Sequence, residues 1–333
     1  MKYHNLIKRQ HWSFWLRCLP EIKVKKKVST KKSNSNKKGK NKSKKSSSKS
    51  PAKDTKDSKS GKKKAKKTDN EIGWDLWHMK NLISPEFRLD LGKYILEDGI
   101  MVEYVSSADA HADWARINLD EELIGSVMIC SGDEYSVDLG YEDEYANLLT
   151  GTIEKDQTPD WKEIIVKDDY WKLEACYVCA TFVKCTPQDI VRYLLTQAGI
   201  TNYELSVENY RDTDRFVVEN KKASEVLKML NTFYGISVDY YFRKGIFYWG
   251  CRPAQKDIYV LDEENNILDM EMYGSMWCAD TVGIPWIHHS DIIEVEHTLY
   301  TGYAQAKKIV IKRDEKGFIR QSIYFVPVEE EGI

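Results

Sequence analysis

Cys176, Cys179 and Cys185 stand in a C-x2-C-x5-C arrangement within "ACYVCATFVKC". Thiolates at that spacing can begin a zinc site, but they need a fourth ligand, and a second C-x2-C pair would be far more specific. The same stretch alternates like a strand, which makes buried structural thiols the simpler reading. A second cluster, His288, His289, Asp291 and His297, lies in "PWIHHSDIIEVEH". Adjacent histidines on a strand point to opposite faces and do not easily share one ion. That stretch is therefore expected to be a surface turn. Carboxylates abound, and a pair of them could hydrolyse a glycoside. With 49 acidic residues between 68 and 333, however, close pairs arise by chance and none is singled out.

Other signatures are missing. The sequence has no GxSxG, HExxH or phosphate loop, and no GxGxxG after a strand. "SGKKKAKKT" contains a Gly-Lys pair but lacks the first glycine and the preceding strand of a phosphate loop. The expectation is a protein that is not an enzyme, with no catalytic, cofactor-binding or metal-ligating residues and no cofactor.

The charge is divided unevenly. The formal net charge of −2 over 333 residues hides two unlike parts. Residues 21–67 hold 21 lysines against Glu21, Asp54 and Asp57, whereas residues 68–333 hold 25 bases and 49 acids. The lysine tract has almost no apolar side chains, cannot bury enough surface to offset its chain entropy, and is expected to be a disordered insertion over 25–70. It could touch nucleic acid or another anionic surface through phosphate charge alone, because it lacks the aromatics and arginines of base readout. It could equally be a solvated low-complexity segment. Seven cysteines, an odd number without framework spacing, suit a reducing compartment. No 18-residue apolar run exists, so no membrane span is expected. The opening "MKYHNLIKRQHWSFWLRCLPEI" has only a short apolar run, broken by Arg17. Residues 1–24 are read as a strand region packing on the body rather than as a secretory leader.

The elements that would position any site are mostly strands. In "ARINLD", Ala115, Ile117 and Leu119 alternate with polar neighbours; in "EYSVDLGY", Tyr135, Val137, Leu139 and Tyr141 do the same. Period two marks a sheet with one buried face. Ser131-Gly132-Asp133 between these runs reads as a hairpin turn, and Pro159 as a boundary. "TPQDIVRYLLTQAGI" is a helix with Thr186 as N-cap, Pro187 at the first position and Gly199 closing it. "KKASEVLKMLNTFYGI" repeats it 36 residues later, with Leu227, Leu230 and Gly235 falling on Val191, Leu194 and Gly199. "RKG" then turns the chain between two strands. From about 256 strands return, separated by Tyr-Thr-Gly-Tyr and Asp-Glu-Lys-Gly turns. The fold class expected is α+β, dominated by β. The domains are 71–158 (consecutive strands), 159–255 (helix and hairpin) and 256–333 (C-terminal β-module).

"GDEYSVDLGYEDEYANLLTGTI", "FVVENKKASEVLKMLNTFYGISVDYYFRKGIFYWG" and "VGIPWIHHSDIIEVEHTLYTGYAQAKKIVIKRDEKGFIRQSI" together resemble baseplate and tail hub proteins of contractile-tailed phages and phage-tail-like particles. The resemblance covers roughly 85–330. Where the family often carries a Pro-Gly-Asp turn, this sequence has His289-Ser290-Asp291. The resemblance implies tail-tube-like antiparallel barrel modules and a homotrimer between the tail tube, or a distal tail protein, and a central spike. It also implies contacts with other baseplate subunits, a place in the virion's tail baseplate, and assembly in the host cytoplasm. Some hubs carry wall-degrading domains, but this chain shows no spare domain for one. An acidic body suits a conduit for DNA, because negative charge repels the duplex, and contact with DNA would be weak or transient. The alternative is a nucleic-acid or anionic-surface binding protein acting through its lysines.

Overall fold

In the computed structural model, residues 25–26, 75–79, 82–142, 144–155 and 162–328 are described. Residues 1–24, all but Lys25 and Lys26 of the 25–70 tract, and Pro159 lie outside the described residues. The alternating segments form two main sheets. The first is five-stranded, in the order β1-β4-β3-β7-β8. Its strands are β1 (Lys25–Lys26), β4 (Tyr94–Leu96), β3 (Glu86–Asp90), β7 (Glu134–Tyr141) and β8 (Glu144–Thr152). The second has ten strands and takes them from both sides of the helical region. The earlier ones are β2 (Asp75–His78), β5 (Ile100–Ser107), β6 (Trp114–Leu119) and β9 (Glu163–Lys167).

Three helices and five short strands come next. They are α1 (Tyr170–Ala175), β10 (Tyr177–Phe182), α2 (Pro187–Ala198), β11 (Tyr203–Leu205), β12 (Phe216–Lys222), α3 (Ala223–Tyr234), β13 (Tyr241–Arg243) and β14 (Ile246–Trp249). The chain then returns to the large sheet with β15 (Asp257–Asp262), β16 (Ile267–Tyr273), β17 (Met276–Thr281), β18 (Ile292–His297), β19 (Tyr300–Arg313) and β20 (Ile319–Pro327). The fold is β-dominated, as expected.

Two hydrophobic cores follow from this order. One joins the inner faces of the main sheets: Phe87, Leu89, Val137 and Leu139 meet Ile117, Ile309, Ile323 and Phe325. The other lies in the 170–250 region, where Ile190, Val191, Leu194, Val226, Leu227 and Leu230 from α2 and α3 pack against Phe242, Phe247 and Trp249. The helix signals act as the sequence suggests. Thr186 forms a capping box with Asp189, and Gly199 and Gly235 close their helices in the left-handed conformation. Lys244 and Gly245, both at positive φ, make the tight turn between β13 and β14.

Three expectations are corrected. First, Ser131-Gly132-Asp133 turns the chain but joins no hairpin, because β6 pairs with β5 and β9 while β7 pairs with β3 and β8. Residues 120–133 cross between the sheets instead, burying Leu123, Val127 and Ile129 in the core as they go. Second, the strand that holds Tyr300-Thr301-Gly302-Tyr303 has already begun there; the turn is Thr298-Leu299, since His297 faces Tyr300. Third, the implied barrels do not close among the described residues, where the ladders are open. Near Gly151 the β8 backbone approaches the Lys167 carbonyl, but the Tyr135 hydroxyl donates to that oxygen, so no ladder bond forms there.

Leu230, on α3, has no exposed surface and belongs to the core that includes Phe242, Phe247 and Trp249. Leu230→Ala should therefore cost about 2–5 kcal/mol, read as a lowered urea midpoint. An unchanged midpoint would mean that α3 buries a different face.

Candidate functional site

The cysteines and histidines that could do chemistry do not converge. Cys176 ends α1, Cys179 is exposed on β10, and Cys185 bridges to Thr213; all three are free thiols. Among the described residues no group of three or more His, Cys, Asp or Glu could hold a metal ion. His288 and His289 are not on a surface turn as expected, for both are fully buried. His288 Nδ1 meets the Trp286 carbonyl at 2.9 Å and His289 Nδ1 meets Ser290 Oγ at 3.0 Å, so the two rings serve different partners. Burial, with Arg243 and Lys244 close by, holds His288 well below the usual imidazole range; burial and Arg243 take His289 down to about 4. His297 lies apart, 4.0 Å from Glu263.

The specialised polar residues gather where the helical region meets the main sheets. Five ties hold that junction. At the entry, Asp168 accepts from the backbone N–H of Asp113 at 2.7 Å and of Tyr170 at 3.0 Å. Next to it, Asp169 accepts from both the backbone N–H and the hydroxyl of Thr152. At the tip beyond β5, His111 stacks on Tyr240 with ring centroids 4.6 Å apart, and its Nδ1 meets the Tyr240 carbonyl at 3.1 Å. At the return, the Gln255 side chain acts as a strand edge: it donates to the Ile292 carbonyl and accepts from the Ile292 N–H.

The fifth tie is the strongest. Arg243 donates to both carboxylate oxygens of Asp291, at 2.7 and 3.1 Å. Asp291 also accepts from the backbone N–H of His288, and its side chain is 4% exposed. A bidentate, charge-assisted pair in a shielded place fixes both distance and orientation. Burial pushes the Asp291 carboxyl up, and the guanidinium opposes that shift. Ser290, at φ 70°, takes the left-handed conformation that glycine adopts most readily.

Sequence reasoning found the turn at 289–291 but missed its partner. Arg243 registered only as a turn residue in "RKG". Asp113 and Asp168 carried no signal beyond being two of many acids. A paired charge across 48 residues leaves no local pattern.

This arrangement positions two packed bodies relative to each other and brings together no nucleophile, base and open cleft. No protein-family model and no curated protein matches the sequence. Solved structures do match. The 43 kDa tail protein of prophage MuSo2 from Shewanella oneidensis superposes with a TM-score of 0.57 at 13% identity, over 72% of this chain and 97% of that one. The tail protein from Neisseria meningitidis MC58 superposes with a TM-score of 0.54 at 11% identity, over 73% of this chain and 96% of that one. The chain has the fold of these phage tail proteins.

Removing Arg243 would leave a buried carboxylate unpaired. Arg243→Ala should cost about 3–5 kcal/mol in urea unfolding, and adding Asp291→Asn should recover part of that loss. Strict additivity in the double variant would show that the pair does not hold the junction.

Proposed function

We propose that this chain is a structural, non-enzymatic hub of a phage tail baseplate or phage-tail-like particle. In this reading it joins the tail tube to the central spike and lines part of a DNA conduit. The observation that carries the reading is the fold likeness to two tail proteins, which runs through nearly their whole lengths. The charge layout supports it. Residues 75–169 and 251–328, which supply the main sheets, hold 15 bases and 35 acids, whereas residues 170–250 hold ten and nine. A wall of that sign repels passing duplex rather than binding it.

The working form is a homotrimeric ring in the virion's tail baseplate, assembled in the host cytoplasm. Its partners are a tail tube or distal tail protein, the central spike and other baseplate subunits. Closed cyclic assembly suits a chain with open sheet edges. Light-scattering mass with negative-stain images should show a trimeric ring, alone or with tube and spike proteins. A strict monomer under all these conditions overturns the proposal.

The 21 lysines within 21–67 favour a second, lesser activity, a weak and salt-sensitive contact with DNA. Deleting residues 28–67 removes no residue of either described core. The deleted protein should keep its oligomeric state and lose any DNA affinity, measured by salt-titrated binding beside a sizing run. Tight DNA binding that survives the deletion would place a nucleic-acid site on the body and displace the hub reading.

A further inference from the structure

Tyr104 on β5 is 1% exposed, and its hydroxyl has two acceptors within reach: Asp113 Oδ2 at 3.1 Å and the Leu148 carbonyl at 3.2 Å. A phenol has one proton to give. If Asp113 is ionised, its carboxylate takes that proton and the Leu148 oxygen goes without it. The Leu148 carbonyl is in this position because Leu148 is the skipped residue of a β-bulge, in which Val137 faces Leu149 while Asp138 faces Asn147. If Asp113 is protonated, it donates to the tyrosine oxygen, and Tyr104 is free to donate to Leu148. Every group in the row is then satisfied.

We propose that Asp113 is a proton-holding site, and that its proton completes a buried relay from Asp113 through Tyr104 to Leu148 that clamps the ten-stranded sheet to the five-stranded one. The relay spans the layers because Tyr104 belongs to the larger sheet and Leu148, on β8, to the smaller. The surroundings favour a neutral carboxyl. Asp113 is 4% exposed; one of its oxygens accepts from Ser107 N–H at 3.3 Å, and the buried Ser106 hydroxyl also reaches the carboxyl. Asp168, also buried, places its carboxylate on the Asp113 backbone N–H. The other titratable groups facing this cluster are Tyr135 on β7, Asp169 at the start of α1, and Arg243 on β13, whose charge pulls the other way. Burial pushes the Asp113 carboxyl up to about 7 against hydrogen bonds from Ser106, Tyr104 and Ser107 and the Arg243 charge, and burial pushes Asp168 up as well.

The clamp loosens as pH rises. The folded protein holds this proton up to about pH 7, whereas the unfolded chain releases it near the ordinary aspartate value of about 4. The stabilisation is therefore complete below about pH 4 and is lost as pH climbs through about 7. Asparagine mimics the protonated form, since its amide can donate to Tyr104 at any pH.

Infrared titration of the full chain labelled with carbon-13 aspartate, beside urea unfolding of wild type and Asp113→Asn, tests this. Wild type should show a protonated-carboxyl component that disappears with a midpoint near 7, and Asp113→Asn should lose that component even where Asp168 contributes a band of its own. The urea midpoint of Asp113→Asn should exceed that of wild type by a margin that grows between about pH 5 and about pH 8. A band unaltered in Asp113→Asn, or a constant margin, overturns the proposal. If that variant does not fold, the wild-type titration decides alone, and the absence of any protonated carboxyl near neutral pH overturns it.

Discussion

The fourteen-residue strand β19 is the constraint on which the rest of the architecture depends. Residues 300–305 pair with β18, residues 308–313 pair with β5, and β20 runs along the other side of both. One strand thus joins segments about 200 residues apart in the chain. Neither 75–167 nor 257–327 completes the large sheet alone, and the helical region is an excursion between two halves of one structure. Its entry and return must both be pinned if the sheet is to close around it. That is why the polar ties concentrate at residues 168–170 and 255–257.

Local structure was legible wherever a short-range rule governed it. The capping box at Thr186, the left-handed glycines 199 and 235, and the alternation of Ala115, Ile117 and Leu119 all come from contacts within a few residues. So did the faces of α2 and α3. What stayed hidden depends on distant partners. Period two identifies β6 and β7 as strands but says nothing about which sheet each joins, and a turn between them suggested the wrong pairing. Histidines 288 and 289 looked like surface residues because polarity is a local property, whereas burial is decided by what packs over them. Here Tyr241 packs edge-on against His289 at 4.8 Å, and Arg243 meets Asp291 next to it. Of the candidate site only the turn at 289–291 was legible; its distant partner Arg243 was not.

The distribution of charge separates the roles of the two bodies. The main sheets carry nearly the whole acidic excess, whereas the helical region is close to neutral. A neutral body can approach other protein surfaces without a long-range penalty, and an acidic one keeps anions away. Exposed aromatics lie on both bodies: Tyr177, Tyr193 and Phe233 on the neutral one, Trp77, Tyr273 and Phe318 on the acidic one. One function therefore need not fall on one site. The chain separates an acidic surface from a nearly neutral one and ties the two bodies together through buried polar groups.

That geometry rests on buried polar groups of opposite pH response. His288 and His289 are held neutral, so their environment is most favourable above the ordinary imidazole range and is penalised as acid charges them. Asp113 and Asp168 are pushed toward their protonated forms, so theirs is penalised as base charges them. Both sets lie near Arg243, whose cation disfavours the histidine charges and favours those of Asp113 and Asp291. An apolar junction of the same area would lack this double sensitivity, but it would also lack direction. Hydrophobic contacts slide at little cost, whereas the bidentate Arg243–Asp291 pair fixes both distance and orientation. For a chain whose two bodies must keep a set orientation, the polar junction trades tolerance of pH for a single fixed angle.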